Sequence, residues 1–299
     1  IYTHFLDDEG MVRADLTVIR MADRCRVIDG ADAGPRDFHY VKRIAEDKGF
    51  DVTVTDVTEK NITIGIWGPN ARATLQKVVE DPAGLSPEAF PFAAIKPIRI
   101  AGRQVTAFRI SYVGEQGWEL HMAYEDGLAV WDALRSTGVM AFGVETYANS
   151  RRMEKSLRLQ NADLLTEYNL IEADLARPKV KEADFRGKAK HLEYKARPHQ
   201  PAMLCTLVVT DNVDSKGVAR YPVGTMPVMD PETGETLVDE LGRRSFTTSV
   251  AYGPTIGKNI ALAYLPWSHC QAGRKLVVEY FGETYPVEVV GIGYKPLYD

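Results

Sequence analysis

Ser111-Tyr112-Val113-Gly114-Glu115-Gln116-Gly117-Trp118-Glu119-Leu120 is the stretch whose reading decides the fold. Gly114 and Gly117 permit a tight bend and a close backbone approach, and Trp118 to Met122 then continue as a strand. Strand side chains alternate between two faces. Tyr112 and Trp118 flank the bend. Either ring is a candidate to pack on a flat ligand, while the same alternation sends at least one of them into the core. A lone strand glutamate is ordinarily a solvated one.

Outward from this stretch the pattern is mixed. Ile1 to Leu6, Asp15 to Met21, Arg24 to Ile28, Asp51 to Val57 and Asn61 to Trp67 are rich in β-branched and apolar residues and read as strands. Arg36 to Lys48 reads as a helix stopped by Gly49, and Pro69 suits the first position of a helix continuing through Ala71 to Val79. A proline-spaced connector leads to strands at 98–100 and 104–113. Asp126 to Thr137 is expected as an amphipathic helix with Leu128, Trp131 and Leu134 on its buried side, and a second helix is expected from Glu145 to Leu157. Arg177 to Lys195 is a basic, exposed connection. Beyond Pro201 nearly everything reads as strand, punctuated by Gly and Pro, which suggests a compact β-barrel or sandwich. The residues alone therefore give mixed α+β followed by all-β.

With 299 residues the chain is long enough for two or three packed units. A formal net charge of −5 argues against general binding to nucleic acid or an anionic membrane. Cys25, Cys205 and Cys270 are far apart and odd in number, so neither a disulfide framework nor a zinc site is indicated. No apolar run reaches the length of a bilayer span and no signal peptide opens the chain, so a soluble cytoplasmic protein is expected. There is no G-x-S-x-G elbow, no H-E-x-x-H and no G-x-G-x-x-G after a strand. Gly253-Pro254-Thr255-Ile256-Gly257-Lys258-Asn259 falls one residue short of a phosphate loop and reads as a turn.

The ten-residue stretch resembles the S/G-Y-[TV]-G-E-x-G-[FWV]-E-[IL] signature of the T-protein (aminomethyltransferase) family of folate-dependent one-carbon transferases. The same block recurs in the folate domains of dimethylglycine and sarcosine dehydrogenases and oxidases. Further segments follow in order. Asp8 to Val18 resembles N/D-E-x-G-x-[IV]-x-x-D-L-T/I-V, and Asp51 to Val57 with Ile64 to Ala71 resembles V-T-D-x-S … L-x-G-P-x-A. Arg152-Met153-Glu154-Lys155, Thr166 to Ala173 and Lys181 to Lys188 are similar to its R-[LM]-E-[AK], T-E-x-x-P-x-E-A and K-x-D-F-x-G-[KR] blocks. Leu170 stands where the family has proline and Asp174 where it has glycine, which puts the local turn in doubt. Family members also carry a further stretch ahead of the segment that begins here at Ile1, so a piece of the first domain is expected to be missing.

The resemblance implies an aminomethyltransferase-like α+β body and a C-terminal β-barrel. The division expected is 1–62 as a strand–helix unit, 63–195 as the folate-binding unit and 196–299 as the barrel. It implies tetrahydrofolate as cofactor and a small methylated substrate, an N-methylated glycine derivative above all, with S- and O-methyl donors as alternatives. FAD is expected only outside this chain, on an upstream flavin domain or partner subunit. A carboxylate suits the paired N–H donors on the edge of a pterin, and the resemblance puts Glu119 there. It gives Asp15 the proton traffic that accompanies carbon transfer; the bland alternative is an aspartate at a strand's entry, hydrogen-bonded to a turn. Tyr112, Trp118, Gly114 and Arg152 complete the candidate cofactor site, Arg152 competing with an ion pair to Glu145 or Glu154. The basic connector could face a polyglutamate tail or simply be solvated. Related folate-binding maintenance proteins carry K-G-C-x-x-G-Q-E; the corresponding Lys155 to Gln160 has no cysteine.

Overall fold

The computed structural model describes residues 1–30 and 32–298, and the chain splits into two compact units, Ile1–Val52 with Arg152–Asp299, and Thr53–Arg151. The amino-terminal strands share a unit with the carboxy-terminal sheet. The reason is a shared core. Leu6 and Val12 pack with Met153, Leu164, Tyr168, Leu204 and Leu262 in one buried cluster.

In that first unit, Tyr2–Leu6, Val12–Arg20 and Cys25–Ile28 form a three-stranded antiparallel sheet, followed by the helix Gly34–Asp47. A six-stranded sheet runs in the order Thr247–Gly253, Lys258–Pro266, Ala202–Val209, Glu283–Ile292, Lys275–Tyr280, Val228–Met229, every neighbour antiparallel. The strands Ala202–Val209 and Lys258–Pro266, neighbours in this sheet, are apolar without alternation because both faces are covered. Cys205, Leu207, Ala261 and Ala263 enter one cluster; Ala202, Leu204, Ile260 and Leu262 enter the other. The strands expected beyond Pro201 are present.

The second unit is a four-stranded antiparallel sheet in the order Asn61–Trp67, Gly117–Ala123, Arg103–Phe108, Ile95–Ile100. The helices Ala71–Leu75 and Gly127–Arg135 belong to it, and residues 145–151 wind as a wide π-type turn. One face of the sheet carries the core: Ile66, Val105, Ala107, Trp118, Leu120 and Met122 pack with Phe90, Val130 and Leu134.

Three expectations fail locally. Asp51 to Val57 has the Val/Thr alternation of a strand but forms none, because no neighbouring edge pairs with it, and Val52 and Val57 lie exposed. The 127–135 helix buries Gly127, Val130 and Leu134, whereas Leu128 and Trp131 face solvent. Gly127 sets that rotation: a Cβ there would lie 2.8 Å from Ile62 Cγ2, so the glycine side is the one able to approach the sheet. The helix expected over 145–157 is the π-type turn and then only Arg152–Glu154. Among the described residues no helix is long and apolar enough to cross a membrane.

Candidate functional site

Strand pleat separates the second unit's chemistry from its core. Trp118, Leu120 and Met122 are buried on one face of the Gly117–Ala123 strand, so Glu119 and His121 share the other. Directly across from Glu119 in register is Gly65, and across from His121 is Thr63. Glu119 is partly open to solvent, at 18% for its side chain. Its Oε2 lies 3.2 Å from His121 Nε2, and His121 Nδ1 lies 3.0 Å from Thr63 Oγ1.

The absence of a side chain at Gly65 is filled by Trp67. A Cβ at Gly65 would stand 2.1 Å from Trp67 Cζ3, and one at Gly117 would stand 2.4 Å from Trp67 Cδ1. Two glycines thus let an indole lie across the sheet beside the carboxylate. Its ring N–H donates to Ile110 O at 2.9 Å. Tyr147 stacks on it with centroids 5.4 Å apart, and Tyr112 leans on Tyr147 at 5.4 Å. Gly114, at φ +74°, makes the bend between Tyr112 and the strand and is itself exposed. Glu115 at the same bend pairs with Arg151 at 3.0 Å. A half-buried acid beside a broad aromatic wall is an arrangement able to hold a flat, N–H-bearing heterocycle.

In the first unit, Asp15 faces His4 across the antiparallel pair. The Tyr2 hydroxyl donates to Asp15 Oδ2 at 3.0 Å, and the Asp15 backbone N–H donates to Gln160 Oε1 at 3.0 Å. Burial raises the Asp15 carboxyl above its ordinary range, and the bond from Tyr2 opposes that shift. His4 is pushed down to about 4, by burial first and then by the charge of Arg177. Its Nε2 is buried, with no hydrogen-bond partner among the described residues.

Comparison with known proteins agrees with this architecture. Residues 1–180 match the family model described as GCVT N-terminal domain, and residues 223–299 match the glycine cleavage T-protein C-terminal barrel domain. The chain belongs to the glycine cleavage T-protein family. The mitochondrial dimethylglycine dehydrogenase of Homo sapiens is 32% identical over 96% of this chain, which spans only 32% of that protein. An aminomethyltransferase of a Picosynechococcus species is 30% identical, over 99% of this chain and 76% of its own length. The crystal structure of the glycine cleavage system aminomethyltransferase T from Bartonella henselae shares the fold, with a TM-score of 0.78 at 20% identity, covering 99% of this chain and 76% of that one.

Two residues expected to bind a cofactor in this T-protein family member lie wholly inside the protein. Trp118 is wholly buried, edge-on to Phe90 at 5.9 Å, with the Arg72 guanidinium 5.2 Å from its ring centre. The pleat that exposes Glu119 buries its neighbour. Arg152 is wholly buried as well. Its guanidinium pairs with the buried Asp163 and donates to Leu157 O at 2.9 Å and Ser249 Oγ at 2.7 Å. Neither Glu145 nor Glu154 is the acid it pairs with in that buried bridge. Glu154 instead accepts the Thr255 and Ile256 N–H groups at 2.7 and 3.2 Å. The phosphate-loop lookalike is therefore a hairpin turn whose amides are occupied by a carboxylate.

Gly65, Trp67, His121 and Tyr147 were not singled out from the sequence. His121 had a signal, standing two residues beyond Glu119. The others depend on strand pairing and ring packing, which one sequence does not display. In the basic connector, Arg186 forks onto Asp8 at 2.7 and 2.6 Å, and Lys195 donates to the Arg177 and Pro178 carbonyls at 2.7 and 2.5 Å. Part of its charge serves internal bonds.

Proposed function

We propose that the chain catalyses tetrahydrofolate-dependent one-carbon transfer, with a small N-methylated glycine derivative as the donor. The observation that carries this reading is Glu119 standing across from a glycine, beside an indole that occupies the missing side chain's place. When bound, tetrahydrofolate supplies the nitrogen that receives the carbon. The Glu119 carboxylate accepts two parallel N–H donors on the pterin edge, and Trp67 and Tyr112 supply apolar ring surface. Asp15 holds the proton displaced as the carbon arrives, at an Oδ whose affinity for it is raised by burial. The choice of an N-methylated glycine rests on the relationship to dimethylglycine dehydrogenase. For such a donor, a flavin on an upstream domain or a partner subunit would supply the oxidation.

Calorimetric titration with tetrahydrofolate tests the reading. Glu119→Gln turns one acceptor into a donor while keeping shape, and should weaken binding by about tenfold or more, since hydrogen bonds to a charged group contribute about 1.5–3 kcal/mol. Asp15→Asn should retain affinity and lose transfer. Undiminished affinity in the first variant, or undiminished transfer in the second, overturns the corresponding role.

A further inference from the structure

We propose that His121 and Thr63 are positioning residues for Glu119, the Thr63 hydroxyl selecting the imidazole tautomer that holds the carboxylate ready for a ligand with two adjacent N–H donors. The proposal deepens the reading of Glu119 given above and rests on it.

The hydrogen-bond logic leaves little choice. An ionised carboxylate only accepts, so at 3.2 Å from Glu119 Oε2 the His121 Nε2 is the donor. In a neutral imidazole the other nitrogen is then the acceptor. With the ring neutral, Thr63 Oγ1, 3.0 Å from Nδ1, is the group that can donate to it. Both nitrogens are thus committed, each in one sense.

The ring has no freedom to choose otherwise. His121 is only 4% exposed and stacks on Phe108, centroids 4.1 Å apart at 26°. Phe108 pairs in register with Glu119 on one side of the strand, and Thr63 pairs with His121 on the other. Thr63 is β-branched and stiff at χ1, which fixes its hydroxyl. Holding one carboxylate oxygen leaves Oε1, which accepts no hydrogen bond among the described residues. That oxygen and the outer lone pair of Oε2 face the ligand's donors. Gly65, across from Glu119, has no side chain of its own to hydrogen-bond the carboxylate, whereas His121 does so.

A buried, satisfied histidine is ordinarily no more than packing, so the test must separate steering from stability. Nitrogen-15 spectra of the histidine rings report the tautomer directly and need no folate. The native protein should show His121 protonated at Nε2 alone, and Thr63→Val should mix the tautomers or reverse them. Tetrahydrofolate affinity should fall about tenfold in Thr63→Val, return to within about twofold of native in Thr63→Ser, and be insensitive to Thr63→Val once Glu119→Gln is present. A native Nδ1–H tautomer overturns the proposal. So does an equal loss from Thr63→Val with or without Glu119, which marks a purely structural effect. If Glu119→Gln binds tetrahydrofolate like the native protein, the role given to Glu119 above falls, and the steering with it. If Glu119→Gln weakens binding but Thr63→Val does not, only the steering falls.

Discussion

Gly65→Ala should damage the site from beneath. The added methyl carbon would stand 2.1 Å from Trp67 Cζ3, 2.2 Å from Cη2 and 2.9 Å from Cε3. These are distances no carbon pair tolerates, so the indole must swing away. Its present place is secured by the bond to Ile110 O, the stack with Tyr147 and a contact with Phe142 at 6.2 Å. Losing the hydrogen bond costs about 1 kcal/mol, losing the aromatic pairing about 0.5–1.5 kcal/mol, and an off-rotamer indole about 0.5–1.5 kcal/mol. Alanine regains about 0.5–1 kcal/mol over glycine in a strand.

The net expectation is a loss of roughly 2 kcal/mol, by those same magnitudes. Urea unfolding followed by circular dichroism would register it as a lower midpoint, and tetrahydrofolate affinity should fall with it. The control is Trp67→Phe, whose smaller ring makes room. In the double variant Gly65→Ala/Trp67→Phe, the alanine should cost under about 0.5 kcal/mol more than Trp67→Phe alone. If the alanine costs the same with and without the indole, Trp67 is not what fills the place of the missing side chain, and the account of this cradle is wrong.

Other perturbations have clear directions. Arg152→Met strands the Asp163 carboxylate in the core and should cost roughly 3–5 kcal/mol, the range for breaking a buried pair; an unchanged urea midpoint would contradict the buried bridge. Asp15 has a folded-state pKa raised by burial, so the stability it contributes is complete below its ordinary value of 3.8 and is lost as pH rises through the folded value. Asp15→Asn should therefore be more stable than the native protein at neutral pH, with the difference closing in acid; a variant less stable at pH 7 argues against that burial. His4, depressed to about 4, contributes stability that is complete above 6.5 and is lost as pH falls toward 4. The effect amounts to at most about 3 kcal/mol, and His4→Phe should flatten this part of a stability–pH curve.

Legibility from the sequence followed the range of each interaction. Strands at 202–209, 258–266, 275–280 and 283–292 were readable because their apolar content and turn glycines are local. Asp51 to Val57 misled for the complementary reason: alternation describes a chain able to pair, and pairing needs an edge the sequence does not show. Arg152 looked like an anion hook because the partners that bury it, Asp163 and Ser249, lie 11 and 97 residues away.

The strand from Gly117 to Ala123 shows how far local reasoning reaches and where it stops. A tryptophan adjoining an acid in one motif invites the picture of a ring stacked on whatever the acid holds. The pleat forbids it, since neighbours on a strand face opposite sides, and Leu120 and Met122 show which side is dry. Aromatic surface beside Glu119 must then come from elsewhere than its own strand. It does so from Trp67, which could lie over the register partner of Glu119 only because that partner is a glycine. Trp67 and the acid are thus separated by some fifty positions in the chain, and it is Gly65, a residue with no side chain to notice, that lets them meet.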